Sequence, residues 1–151
     1  MCVLSDGSLL RALMSGVLVI RPWDVKYIQP CSYDLHLAQD IDLEPFESAL
    51  ADTVEWIEMP PHLRGTLAGR SSVARLFVQP HCQGGYIDPG FHGTLTLEIT
   101  NLSREHRHFD AGDRLLQMEV SQLDKAALNP YHGRYLDQSG PTSSRFGHGD
   151  N

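Results

Sequence analysis

The chain has 151 residues, a length that fits one domain. Apolar residues make up 41% and charged residues 21%, a globular composition that excludes a fibrous or disordered chain. The net charge of −7 excludes a broad nucleic-acid-binding surface, and no apolar run approaches the ~18–20 residues of a membrane span.

The start carries no basic stretch followed by an apolar segment and a cleavage site, so no secretory leader is expected. The first predicted element is a helix. Ser5 can cap it, Leu9, Leu10, Leu13 and Met14 recur at helical spacing, and Gly16 stands where a C-cap glycine belongs. Prolines and glycines then separate short apolar or alternating segments. The predicted strands are Val17–Ile20, Ser32–Leu37, Thr53–Met59, Gly65–Ala68, Leu76–Gln79, Thr94–Asn101 and Arg114–Gln122. Many short strands between turn signals predict a β-sandwich or barrel with a small helix added. The last stretch, Ser139 to Asn151, is rich in Gly, Ser and Thr, has no apolar face to bury, and is expected to be mobile on its own.

Cys2, Cys31 and Cys82 are scattered and form no CxxC pair. They read as free thiols of a cytoplasmic protein, not as a disulfide framework or a zinc site. His81-Cys82 has no second half at metal-ligand spacing.

Chemistry concentrates in four segments. Gly69 to Arg75 packs Arg70, Arg75, Ser71 and Ser72 into an otherwise acidic chain. Guanidinium forks and hydroxyls hold phosphate oxygens; the alternative is a capped helical turn with solvated arginines. Gly84 to Gly93 holds four glycines and one proline in ten residues, which implies tight turns around Asp88. That carboxylate either caps its own turn or faces a ligand. Thr94 to Asn101 alternates cleanly, with Leu95, Leu97 and Ile99 on one face and Glu98 with the threonines on the other. Glu98 is a solvated glutamate unless a cleft or a neighbouring subunit covers this face, in which case it suits a general base. The tail from Tyr131 to Gly147 mixes aromatics, arginines, hydroxyls and glycines, a composition that can close over a polar ligand or fray.

Together these segments resemble the dCTP deaminase branch of the dUTPase-like superfamily. Pro30-Cys31-Ser32-Tyr33-Asp34-Leu35-His36-Leu37 is similar to the family strand P-x-S-x-D-L-x-L, and Gly69 to Leu76 to G-R-S-S-x-A-R-L. Ile87 to Asn101 resembles I-D-P-G-[FW]-x-G-x-[IL]-x-L-E-[ILF]-x-N, and Ala111 to Met118 resembles P-G-x-x-I-G-Q-L. The tail resembles K-Y-x-x-Q-x-G-P-T-x-S-R, with Arg134 in place of the lysine.

The resemblance implies a mainly β, distorted β-barrel of the dUTPase-like β-clip type with a short N-terminal helix. It also implies a homotrimer with active sites between subunits. One domain spans 1–151, with 131–151 a flexible tail over the active site. Deamination would proceed without zinc, and Mg²⁺ would arrive with the triphosphate. Glu98 falls on the general base, and Arg75 and Ser71 on residues that orient its water. Arg70 and Ser72 fall on triphosphate contacts from the neighbouring subunit, and Asp88 on the deoxyribose 3′-hydroxyl contact. Gly84, Gly85 and Tyr86 fall on substrate-binding positions, Gly84 in the backbone that touches base and water, and Tyr131, Arg134, Tyr135 and Gln138 on the closing tail. The substrate implied is dCTP or dUTP, with dTTP as an inhibitor.

The chain departs from the family pattern in three places. The stretch between the Asp34 strand and Val54-Glu55-Trp56-Ile57 is short, and Gln83-Gly84 replaces the usual Thr-Ala. Gly85 stands where strict deaminases carry His and where the two-step enzymes, which convert dCTP to dUMP, carry Gly. Two other readings remain at this stage. A plain dUTPase would carry a G-G-F-G-S-T-G tail and a D-Y turn, both absent here. A non-catalytic nucleotide-binding regulatory trimer would not need Glu98, Ser71 and Arg75 together.

Overall fold

The structure, a computed structural model, describes residues 2–146. After β1 (Cys2–Val3), the helix α1 (Asp6–Met14) begins at Ser5, whose carbonyl accepts the N–H of Leu9 at 2.8 Å. The Ser5 hydroxyl itself makes no capping bond. Gly16, at φ +70°, reverses the chain as the spacing predicted, and Leu9 and Leu13 bury the inner face.

The strands follow in order: β2 (Val19–Arg21), β3 (Ile28–Gln29), β4 (Ser32–His36), β5 (Ile41–Leu43), β6 (Ser48–Asp52), β7 (Trp56–Glu58) and β8 (Leu63–Gly69). A one-turn helix, α2 (Ser71–Ala74), precedes β9 (Val78–Gln79), β10 (Tyr86–Ile87), β11 (His92–Gly93), β12 (Thr96–Asn101), β13 (Arg107–Phe109) and β14 (Arg114–Gln122).

β14 is the organising strand. It pairs antiparallel with β4 on one side and β8 on the other, and β1 joins it at Gln122 and Ser121. β3 and β10 complete this six-stranded sheet. β12 runs between β6 and β9 as a separate antiparallel ribbon. The remaining pairs are β11-β7-β2 and β13-β5. Among the described residues the expected barrel is therefore not closed: the strands divide into separate sheets. Strand length is the physical reason. β2, β5, β7 and β13 have 3 residues each, so their ladders end before neighbouring sheets can join. Tyr33, Leu35, Leu97, Ile99, Leu116 and Met118 fill the core between the sheets. No helix among the described residues is long and apolar enough to cross a membrane.

One buried polar pair ties β4 to the approach to β7. Glu55, 2% exposed, accepts the His36 backbone N–H at 3.0 Å and contacts His36 Nδ1 through its other oxygen. Burial raises the Glu55 pKa, and the bonds from His36 oppose that rise.

The β5–β13 hairpin carries an exposed charge cluster. Asp42 Oδ1 lies 3.1 Å from His106 Nε2 and 3.0 Å from His108 Nδ1, and His108 Nε2 lies 3.1 Å from Asp110. Both ring nitrogens of His108 thus face carboxylates. Asp110 first and Asp42 second raise its pKa, while His108 lowers that of Asp42. The sign follows from linkage. The stabilisation is complete below the unfolded histidine pKa of about 6.5 and fades as pH rises through the raised folded value; on the acid side it fades as Asp42 protonates. An NMR titration should show His108 titrating above an ordinary histidine, with 0.5 M salt reducing the difference because the cluster is exposed. A titration curve at or below the free-histidine value would contradict the bonding described.

Candidate active site

A cleft of about 900 Å³ opens between the polar face of β12, the loop leading into β10 and the C-terminal segment. Glu98 lies on its floor, half-buried, as the alternation of β12 requires: Leu97, Ile99 and Asn101 point into the core. The neighbouring strand sets Leu50 opposite Glu98 and Asp52 opposite Thr96, so all four share the cleft-side face. Among the described residues the Glu98 carboxylate has no hydrogen-bond or ion-pair partner, and it stays available to a ligand. Cys82 lies beside it, with Sγ 3.4 Å from the Glu98 carbonyl oxygen and 3.5 Å from Thr100 Oγ1.

The opposite wall is the glycine-rich turn. Phe91 N–H donates to the Asp88 carbonyl at 3.0 Å, and Gly90 N–H to the Met59 carbonyl at 2.8 Å. The main chain closes this turn, not an Asp88 side-chain cap, and Asp88 lines the cleft. Gly84 and Tyr86 line it too, with the Arg64 guanidinium 4.5 Å from the centre of the Tyr86 ring. Gly85 sits one layer back, where its carbonyl accepts the Leu67 N–H at 2.7 Å.

The C-terminal segment forms the roof. Tyr131 N–H donates to the Pro89 carbonyl at 2.7 Å, and Asp137 N–H to the His92 carbonyl at 2.9 Å. Gln138 forms a parallel bridge with Gly93. Tyr131, Tyr135 and Gln138 line the cleft. Arg134 does not line it; its guanidinium donates to the Arg145 carbonyl at 2.7 Å, and Arg145 returns a bond to the Arg134 carbonyl. The part of the expected tail from 147 to 151 lies outside the described residues.

Gly90 shows why this crossing needs glycine. Its φ is +89°, and a Cβ there would lie 2.6 Å from Pro130 Cβ and 3.0 Å from Tyr131 N. Gly90→Ala should lift the segment from the turn and lower stability by about 1–3 kcal/mol. Thermal unfolding checks this; a fully stable variant would mean the crossing is adaptable.

The residues from Gly69 to Arg75 lie elsewhere. Ser71 does begin a short helix, with Arg70 at the N-cap. Arg70, Ser71, Ser72 and Arg75 do not line this cleft. Arg70 Nε is 3.5 Å from Asp34 Oδ1, and Arg114 Nη1 is 3.2 Å from Asp34 Oδ2. Asp34 itself is fully buried. Beside α2 the side chains of Leu76, Phe77 and Leu102 are exposed, and the Leu102 N–H donates to the Phe77 carbonyl at 2.8 Å.

Sequence reasoning missed Leu50 and Thr96 as cleft residues, while Thr142 and Phe146 fall in the tail expected to close over a ligand. Thr96 could have been found from the alternation that selected Glu98. Leu50 could not, because β6 carries too weak a pattern to be read. Among the described residues no three His, Cys, Asp or Glu side chains converge on a common metal position.

A family model described as dCTP deaminase-like matches residues 36–123. The chain is 31% identical to the dCTP deaminase of Halorubrum lacusprofundi, over 96% of this chain and 91% of that protein. It is 34% identical to a "dCTP deaminase, dUMP-forming" of Dictyoglomus thermophilum, over 95% and 94% respectively. The first of these alignments runs over 185 positions, more than the 151 residues present, so the relative carries insertions inside the matched region. Among solved structures, the 2′-deoxycytidine 5′-triphosphate deaminase of Agrobacterium tumefaciens superposes with a TM-score of 0.68 at 20% identity, covering 79% of this chain and 48% of that one. The dUTPase of EIAV superposes with a TM-score of 0.60 at 21% identity, covering 78% and 98%. Both likenesses are to the fold.

Proposed function

The chain belongs to the dCTP deaminase-like family, and from that premise we propose that it deaminates dCTP and carries the product on to dUMP and pyrophosphate. The observation that carries this reading is the placement of Glu98 and Asp88 in one cleft, on a strand paired with β6 and a turn closed by main-chain bonds. Rigid placement of a base opposite a sugar-binding turn is what a positioned attack on a bound nucleotide needs.

In the first step Glu98 takes a proton from water and the hydroxide adds to C4 of cytosine. The proton passes to the exocyclic nitrogen, the C4–N bond breaks, and ammonia leaves with dUTP as product. In this reading Asp88 accepts the 3′-hydroxyl, and exclusion of a 2′-hydroxyl at the same turn would select deoxynucleotides. In the second step a water directed by Asp88 attacks the α-phosphorus, the bond to the bridging oxygen breaks, and pyrophosphate departs. Gly85 supports the two-step reading through the resemblance, and a Cβ there would lie 3.0 Å from His81 Cε1, so His81 would have to give way to a larger residue. Several relatives are named as dUMP-forming.

The assembly proposed is a homotrimer in which Ser71 and Arg75 of one protomer reach Glu98 of the next, with Arg70 and Ser72 on the triphosphate. Two observations support it. The α2 segment lies outside its own protomer's cleft, and the exposed Leu76, Phe77 and Leu102 beside it form an apolar surface suited to burial between copies. Mg²⁺ enters as part of the dCTP complex and offsets the charge that an acidic protein would repel.

Product analysis with dCTP, dUTP and CTP side by side, each with Mg²⁺, tests the reading. The expected result is dUMP, ammonia and pyrophosphate from dCTP, and no turnover of CTP. Turnover of dUTP alone would replace the reading with a plain dUTPase, and no turnover at all with a nucleotide-binding protein.

A further inference from the structure

Thr96 is a cleft residue that the proposed chemistry does not use. It lies two positions before Glu98 on β12, so both side chains stand on the cleft-side face, about 7 Å apart along the strand. Its Oγ1 accepts the Thr142 N–H at 3.1 Å. The C-terminal segment meets this part of the chain at two places. The first is Gln138, whose Nε2 donates to the Thr94 carbonyl at 2.8 Å and whose carbonyl accepts the Thr94 N–H at 3.0 Å. After Gln138 the chain turns at Gly140, with φ +78°, and the second meeting is Thr142 on Thr96. Among the described residues, the other hydrogen bonds of 140–146 stay within the segment or return to Arg134 and Tyr135. Thr142 Oγ1 donates to the Gly140 carbonyl at 3.2 Å, and Arg145 N–H to the Tyr135 hydroxyl at 3.0 Å. One threonine hydroxyl therefore joins the outer half of the roof to the strand that carries Glu98.

We infer that Thr96 is a positioning residue: its hydroxyl pins the C-terminal segment at Thr142 and so sets Ser144 and Phe146, which line the cleft, beside the proposed base. Threonine suits the task. It is stiff at χ1, so the strand backbone fixes where its oxygen lies, and it is uncharged, so it brings no second base next to Glu98. Its own strand is held from the other side, since the pairing of β12 with β6 begins at Thr96. Loss of the hydroxyl leaves the tie at Gln138 in place and frees the segment beyond it. The inference rests on the proposed reaction only for its kinetic consequence; the structural consequence is measurable in the free protein.

The test compares Thr96→Val with Thr96→Ser in the full chain. Valine keeps the branched shape and suits a strand, but accepts no hydrogen bond. Serine keeps the hydroxyl and loses the methyl. Hydrogen exchange is followed at the Thr142 amide and in β14, together with KM and kcat for dCTP with Mg²⁺. Thr96→Val should speed exchange at Thr142 roughly three- to tenfold, the worth of one neutral hydrogen bond, and leave β14 protected. It should raise KM about two- to fivefold with kcat within about twofold of native, since binding and not chemistry is lost. Thr96→Ser should keep both measures within about twofold of the native chain, because the acceptor is retained. Unchanged exchange at Thr142 in Thr96→Val would overturn the pin, and a raised KM with that result would make Thr96 a direct nucleotide contact. Equal losses in valine and serine would also overturn it, since shape and not the hydroxyl would then hold the segment. So would acceleration spread equally into β14, which marks a general stability residue, or faster exchange with unchanged KM, which removes the pin from nucleotide binding. If the native chain does not turn over dCTP, the proposed reaction fails and exchange alone decides the pin.

Discussion

Replacing Glu98 with glutamine should lower kcat for ammonia release by about 10³-fold or more, at the upper end of what one acid–base group supplies. Affinity for dCTP should stay within about threefold. Glutamine keeps the size of the side chain and its place on β12, and the strand's pairing with β6 runs through main-chain bonds that the substitution does not touch. What it loses is the capacity to accept a proton from water. Because the Glu98 carboxylate has no hydrogen-bond or ion-pair partner within its own chain among the described residues, its replacement breaks no bond of the single-chain fold. The two proposed steps also separate here. Asp88, not Glu98, is assigned to the water that attacks phosphorus, so Glu98→Gln should still release pyrophosphate when offered dUTP. Calorimetric titration with dCTP, ammonia detection and product analysis with dUTP check the three parts. Ammonia release within tenfold of the native rate would remove Glu98 from its assigned role.

The sequence made the elements legible where period and punctuation agreed. β14 has the bounds predicted for it, from Arg114 to Gln122, and β12 keeps the alternation that singled out Glu98. The helix ends before Gly16, where the chain reverses through a positive φ that the glycine announces in the sequence. β5, β6 and β13 were not legible. Ile41–Leu43 and Arg107–Phe109 are too short to establish a period of two, and Ser48–Asp52 mixes alanine, serine and aspartate. Yet β6 supplies Leu50 and Asp52 to the cleft face. That the C-terminal segment, read as able to close over a ligand and expected to be mobile from Ser139 on, is fastened in the free chain was not legible, for a different reason. Its composition offers no apolar face, but what fastens Gln138 and Thr142 to the ribbon is mainly bonding to or from the main chain, and composition carries no record of that. The motif residues of Gly69 to Arg75 were legible as chemistry but not as geometry, since one chain does not bring them to Glu98.

That last gap leads to the sharpest test of the assembly. Arg75→Ala and Glu98→Gln should each be inactive alone, yet co-assembly of the two chains from denatured or co-expressed mixtures should recover activity. In the proposed trimer a site takes Glu98 from one protomer and Ser71 with Arg75 from the next. A working site forms wherever a chain bearing Arg75→Ala, with its native Glu98, faces a chain bearing Glu98→Gln, with its native Arg75. Random mixing in equal amounts gives that arrangement at ~25% of sites in a cyclic trimer, so activity should return to roughly a quarter of the native value. The increase over either variant alone is then about two orders of magnitude, given the loss expected from each. Sites built within one protomer would give no recovery at any mixing ratio, because every chain would carry a lethal change in its own cleft. Recovery would also bury α2 and the exposed Leu76 and Phe77 beside it against a partner. A charge placed there, Phe77→Glu, should therefore return the mixture to inactive single chains, visible as a shift in sedimentation together with the loss of turnover.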